Sequence, residues 1–296
     1  MYIGEIAALL TAACWVGSSL SFEYAGKRVG SLVLNLMRLV LSFVIISVIN
    51  LIITGGYQNI NMTPQSFGIL FISGLIGFVL GDVFLFQAFI EIGARISMLI
   101  MALAPPLTAI LSYLFLGETL GLMQVIGMLV TVLGIAIVIL GRGDQGKKLV
   151  VKHSWKGLIF AFLGAVGQAL GLIFSKMGVR DLNPFVATQV RIFAGILGFI
   201  IVLTLYKKWE AFFQTLRLRH VMGRITIGSI FGPVLGVSLS LMAVKHTSTA
   251  IASTLMGLTP ILIIPISVFI LKEKIKLNEI IGALVGVLGV AILFLV

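Results

Sequence analysis

Charge is the scarcest property of this 296-residue chain: only 10% of its residues are Asp, Glu, Lys or Arg, against roughly 25% in a soluble globular domain. A water-soluble fold is excluded. Cysteine is almost absent, Cys14 being the only one, which rules out an intrachain disulfide and a CxxC metal site and removes redox chemistry from consideration. The three histidines, His153, His220 and His246, lack metal-ligand spacing and sit in or beside polar connections, so no metal and no cofactor is expected. The run from Gly141 to Lys147 has the GxxxxGK spacing of a phosphate-binding loop. Lys148 nevertheless stands where Ser or Thr is needed, and the segment follows an apolar helix rather than a strand, so no nucleotide site is expected. No Lys or Arg precedes the first apolar stretch; the basic n-region of a cleaved signal peptide is missing, and the first helix is expected to be retained.

What fills the chain instead is apolar surface. Hydrophobic residues make up 59% and the mean hydropathy is +1.19, spread along the whole length rather than gathered in one anchor. A spanning helix needs about 20 mostly apolar residues. Ten such windows can be read: 3–22, 32–53, 67–90, 96–116, 120–140, 158–177, 184–205, 225–244, 250–271 and 277–296. The short connections between them leave no room for a soluble domain able to catalyse a reaction or bind ATP. The net charge of +11, from 21 basic and 10 acidic residues, comes mostly from those connections, where basic side chains orient helices and meet anionic headgroups. The lipid bilayer, not nucleic acid, is the expected partner. The chain reads as an all-α integral membrane protein, multi-pass in the cell membrane.

Internal repetition fixes the architecture further. Sliding the sequence by 155 positions aligns 77–140 with 232–295 without a gap, and over a third of the columns are identical. Gly77 and Gly81 fall on Gly232 and Gly236, Gly127 and Gly134 on Gly282 and Gly289, and Pro105 on Pro260. Paired small residues let helix backbones approach closely in lipid, and a proline inside a helix frees a carbonyl and can act as a hinge. The expected organisation is a five-helix repeat over 1–141, a hydrophilic linker over 142–157, and a second five-helix repeat over 158–296. An odd number of spans forces the second repeat to enter the membrane upside down, giving two inverted repeats. The charges agree. Loop 55–66 has no Lys or Arg, whereas its counterpart 206–224 holds Lys207, Lys208, Arg217, Arg219 and Arg224. Counted over all connections, sixteen basic residues fall on one side and only Lys176, Arg180 and Lys245 on the other, which places both termini outside.

Several of these residues carry a family resemblance over the whole chain. Trp15-Val16-Gly17, Arg38, Ala104-Pro105 followed by Leu116-Gly117-Glu118, and Thr259-Pro260 followed by Leu271-Lys272-Glu273 resemble the EamA repeats of the drug/metabolite transporter superfamily. The resemblance implies a ten-helix secondary transporter, an exporter or exchanger, with a small-molecule substrate. It does not choose among amino acids, other metabolites and drugs. Relatives of the small multidrug type rely on a glutamate embedded in the first helix, whereas here Glu5 and Glu23 lie at that helix's two ends. This departure weakens the alternative of a proton-coupled multidrug or cation exporter.

Helical spacing groups the candidate residues. Thr11, Trp15, Ser18 and Phe22 form one mixed polar and aromatic stripe. Aligning Arg38 with Arg191, an offset of 153, lays this stripe on Gly164, Gln168, Gly171 and Ser175. The two read as facing walls of a central cavity working by alternating access, or as packing glue between helices. Ser97, Met98, Met101 and Pro105, and Thr249, Ser253, Met256 and Pro260, form further stripes with adaptable side chains suited to a tolerant pocket. Arg38 and Arg191 demand a carbonyl, an acid or water, in a structural role or as anchors for a substrate carboxylate. Asp82 stands well inside the third window with Val237 opposite it in the repeat, either paired with an arginine or a helix end or coupling transport to protons. Glu118 and Glu273 sit beside the start of the next helix, whose dipole explains them. An intramembrane enzyme is the rival class, but no histidine lies at mid-depth and no second Asp accompanies Asp82, so catalysis is not expected. A monomer is expected, a homodimer being the alternative.

Overall fold

The computed structural model describes residues 2–56, 62–101, 103–141, 155–180, 182–259, 261–262 and 277–294, and every regular element among them is helical. In the first half, α1 (Ile3–Val29) turns at Gly30, whose φ of 79° suits a residue without a Cβ, into α2 (Ser31–Thr54). A helical run then passes without interruption through α3 (Pro64–Gly74), a π-helical turn π1 (Leu75–Gly81) and α4 (Asp82–Met101). After a break come α5 (Ala104–Leu116) and α6 (Leu122–Gly141). The second half repeats this as α7 (Trp155–Val179), α8 (Pro184–Leu205), a short α9 (Trp209–Thr215), α10 (Arg219–Ser229), π2 (Ile230–Gly236), α11 (Val237–His246), α12 (Thr249–Met256) and α13 (Leu277–Phe294).

Polarity is distributed inside out relative to a soluble protein. Ser42, Asn50, Ser73, Thr108, Thr131 and Ser229 have no exposed surface, whereas Val44 and Val48 on α2, Leu129 and Leu133 on α6, and Leu284 and Leu288 on α13 are about half exposed or more. Aliphatic side chains facing outward and hydroxyls facing inward are what lipid as solvent selects. This is a membrane-spanning helical bundle.

Equivalent helices of the two halves pack against each other and run in opposite directions. On α2 and α8, Leu39 lies against Gly195, Ser47 against Gln189, and Asn50 against Phe185, so one number falls as the other rises. On α6 and α13, methyl groups added at Gly134 and Gly289 would collide with Gly286 and with Thr131. Antiparallel packing of equivalent elements is the signature of inverted repeats. The first helix of each half crosses the third helical run of the other: α1 lies on α10, π2 and α11, while α7 lies on α3, π1 and α4.

The fourth helices depart from the windows. The sequence places a connection at 91–95, but α4 continues to Met101, and the helix is instead interrupted ahead of Pro105. A proline ring excludes the helical hydrogen bond to the carbonyl four residues earlier, here that of Met101. Pro105 therefore sits in the first turn of α5, where a missing N–H costs nothing, rather than kinking a continuous helix. In the second half, Thr247 is extended, Ser248 caps α12 by accepting from the Ile251 N–H, and α12 ends at Met256. The repeat maps that end onto Met101. Pro260 and Glu273 lie outside the described residues.

Candidate functional site

The two first-helix stripes do meet the opposite repeat, residue for residue. Trp15 packs on Gly236 and Ser18 on Gly232, while at the matching positions Gln168 packs on Gly81 and Gly171 on Gly77. Phe22 covers Gly228, and its counterpart Ser175 shares a 2.8 Å hydrogen bond with Ser73, the counterpart of Gly228. Most hydroxyls in the stripes are satisfied by their own helix: Thr11 donates to the Ala7 carbonyl and Ser175 to that of Gly171. Thr11 and Ser175 are fully buried and Ser18 and Phe22 nearly so, leaving Trp15 and Gln168 half-buried. In this conformation the stripes are closely packed seams. Both seams rest on the π-helical turns, which occupy equivalent positions 155 residues apart and end at Gly81 and Gly236. π turns recur at functional sites because they add a residue and swing the following side chains round the helix.

The residue that follows π1 is Asp82, and around it the ionisable candidates converge. Arg38 forms an ion pair with Asp82, and Gln168 donates a 3.0 Å hydrogen bond to the second carboxylate oxygen. Arg191 lies within electrostatic reach of the same carboxylate without a hydrogen bond to it. Aromatic faces complete the surroundings: Phe22 and Phe86 lie 5.4 and 5.6 Å from the Arg38 guanidinium, and Phe78 lies 5.1 Å from that of Arg191. Backbone seating is also mirrored. The Arg38 carbonyl accepts from Ser42 and from Ser229 of the other repeat, and Gly74, equivalent to Ser229, lies directly on the Arg191 backbone. Asp82, Arg38 and Arg191 are each less than one-tenth exposed. The cluster thus joins α2, α4, α7 and α8 where the halves meet, with two positive charges and one negative.

The fourth-helix candidates lie elsewhere on the seam. Thr108 on α5 donates to Ser253 on α12 across 3.3 Å, Ser97 is buried, Met256 belongs to an apolar core with Ile251 and Leu255, and Met101 is half-buried.

One end of the seam is tied by a second polar network that the sequence did not single out. Gly117, in a left-handed conformation with φ of 66°, ends α5 and turns Glu118 towards Lys176 at the end of α7, with which it forms an ion pair. Glu118 also accepts from the backbone N–H of Thr249 at 2.8 Å. Lys176 donates to the Thr247 carbonyl, and the Thr247 hydroxyl donates to Glu5 on α1. Glu118 does sit at a helix N-terminus, but that of α12 in the opposite repeat and not that of the helix after it in the chain. Glu118 and Lys176, among the few charges on the side poor in charge, were the signal available in the sequence.

Comparison with known proteins follows the same division of the chain. A model of the EamA-like transporter family matches residues 2–140 and 155–295. The uncharacterized transporter YyaM of Bacillus subtilis is 27% identical over 251 residues, 83% of this chain and 78% of that protein. An uncharacterized transporter of Archaeoglobus fulgidus is 24% identical over 98% of both chains. A third, from Clostridium kluyveri, is 25% identical over 182 residues, a match that spans 56% of that protein. A solved crystal structure with 16% sequence identity shares the fold, with a TM-score of 0.79 over 99% of this chain and 96% of that one.

Proposed function

Because this chain belongs to the EamA-like transporter family, matched over both of its repeats, we propose that it is a secondary active transporter of small polar metabolites such as amino acids. It works by alternating access at the seam between the repeats. The observation that carries this reading is the buried cluster of Arg38, Asp82, Gln168 and Arg191, set where two inverted halves meet against glycine-lined π turns. Charged groups inside the bilayer are costly and persist where they serve a pathway. Trp15, Ser18 and Phe22, with Gln168 and Ser175, are then the walls that part, Ser97, Met101, Ser253 and Met256 flank the path, and Pro105 and Pro260 serve as its hinges. The carrier operates as a monomer in the cell membrane with both termini outside, the hydrophilic segment between α6 and α7 linking its halves, and exports or exchanges its substrate. Export of cations fits less well, since the cluster holds more positive than negative charge.

Purified protein in liposomes is expected to take up a labelled amino acid from a broad panel. Failure of well-folded protein across the whole panel would overturn the reading. Asp82 is in addition the one cluster member able to carry a proton, and Asp82→Asn is expected to abolish stimulation of uptake by a pH gradient. Unchanged pH-driven uptake by that variant would remove proton coupling at Asp82.

A further inference from the structure

The two intramembrane arginines are equivalent in the repeat but unequal in their surroundings. Arg38 has a carboxylate of its own, Asp82, supplied by the third helical run of its repeat. The equivalent position in the second repeat is Val237, so Arg191 has no acid in the corresponding place. The Nε of both arginines is buried without a partner; what sets Arg191 apart is that no ion pair like that of Arg38 with Asp82 joins it to another described residue, although only 6% of it is exposed. A buried cation left unpaired is strongly unfavourable, and a guanidinium offers a fork of donors shaped for a carboxylate.

We propose that Arg191 is the anchor for a carboxylate on the transported metabolite, which fills for Arg191 the role that Asp82 fills for Arg38. The inference rests on the carrier reading above and narrows its substrates to carboxylic acids, amino acids included. Phe78 lies 5.1 Å from the guanidinium and Gly77, which has no side chain, lies against its Nη2, so the carboxylate would reach the guanidinium as the seam parts. Arg38, already neutralised, orients Asp82 and does not take the ligand. A neutral ligand would leave the second guanidinium unpaired, so acids are favoured over their amides.

The test compares matched probes by thermal shift on detergent-solubilised protein: L-leucine against L-leucinamide, and isovalerate against isovaleramide, with sodium chloride as a further arm. Acids are expected to raise the melting temperature at concentrations about tenfold or more below those the amides need, the value of one charge-assisted contact. Arg191→Gln should lose that preference. So should Val237→Asp, which supplies the missing internal carboxylate, while Val237→Asn should keep it. Equal response to acids and amides in the unmodified protein overturns the proposal even if a variant fails to fold. A shift reproduced in full by chloride also overturns it, in favour of an inorganic anion. Uptake of neutral or amide substrates by liposomes without any acid preference would remove the carboxylate anchor and leave the carrier standing; absence of all uptake would remove the carrier.

Discussion

At the scale of single residues, the asymmetry between Arg38 and Arg191 makes a prediction about stability that is independent of transport. Arg38→Gln removes one partner of a buried ion pair and leaves Asp82 with only the Gln168 hydrogen bond and the more distant Arg191, an injury of up to about 3–5 kcal/mol. Arg191→Gln breaks no such ion pair among the described residues and is expected to cost far less. Thermal denaturation in one detergent ranks the two, and equal losses would contradict the assignment of Asp82 to Arg38. Much of this cluster was legible beforehand. Asp82, Arg38 and Arg191 stand out because charge is so rare inside apolar windows, and the repeat offsets already set Val237 against Asp82. Which arginine takes the acid was not legible, because pairing depends on the rotation that π1 gives to the helix immediately before Asp82. That rotation is a property of backbone hydrogen-bond register, which side-chain periodicity does not encode.

At the scale of elements, the glycines decide how near the crossing helices come. A Cβ on Gly171 would sit 2.9 Å from the Gly77 Cα, and one on Gly167 would sit 2.8 Å from the Gly81 Cα, both closer than packed carbon atoms tolerate. Gly171→Leu is therefore expected to push α7 away from π1, lower the melting temperature and abolish transport. Gly223→Leu, at a glycine with open space around it, should do neither, and comparable damage from both substitutions would show that the close crossing has no special role. The paired GxxxG steps announced this contact in the sequence, and the stripe containing Trp15 and Gln168 announced the faces involved. What the stripes face is different from a plain cavity wall. Each is seated on the opposite repeat, because small residues that could border a pocket serve equally well to bring backbones together in lipid. The sequence ends α4 too early for a related reason: a basic residue such as Arg95 reads as part of a connection, while Pro105 sets the break after Met101, four residues before it.

At the scale of the whole molecule, two inverted halves related by a local two-fold can exchange conformations, so a seam closed at one end and open at the other has a counterpart with the ends reversed. The end closed by Glu118, Lys176, Thr249 and Thr247 joins both repeats through side chains at helix ends, where a small rocking movement would part them. On the topology proposed above this is the outer end. The parity of the spans and the matched glycines made the inversion legible from the sequence alone. The tie itself was not, since Glu118 and Thr249 are 131 residues apart and meet only once the halves are assembled.

Cross-linking across this tie tests alternating access most directly. In a Cys14→Ser background, Glu118→Cys and Thr249→Cys would be joined by a short bifunctional thiol reagent that is cleavable by reduction, and uptake into liposomes measured before joining, after joining and after cleavage. The account predicts uptake arrested by the cross-link and restored on cleavage; uptake that continues undiminished with the two positions joined would contradict it.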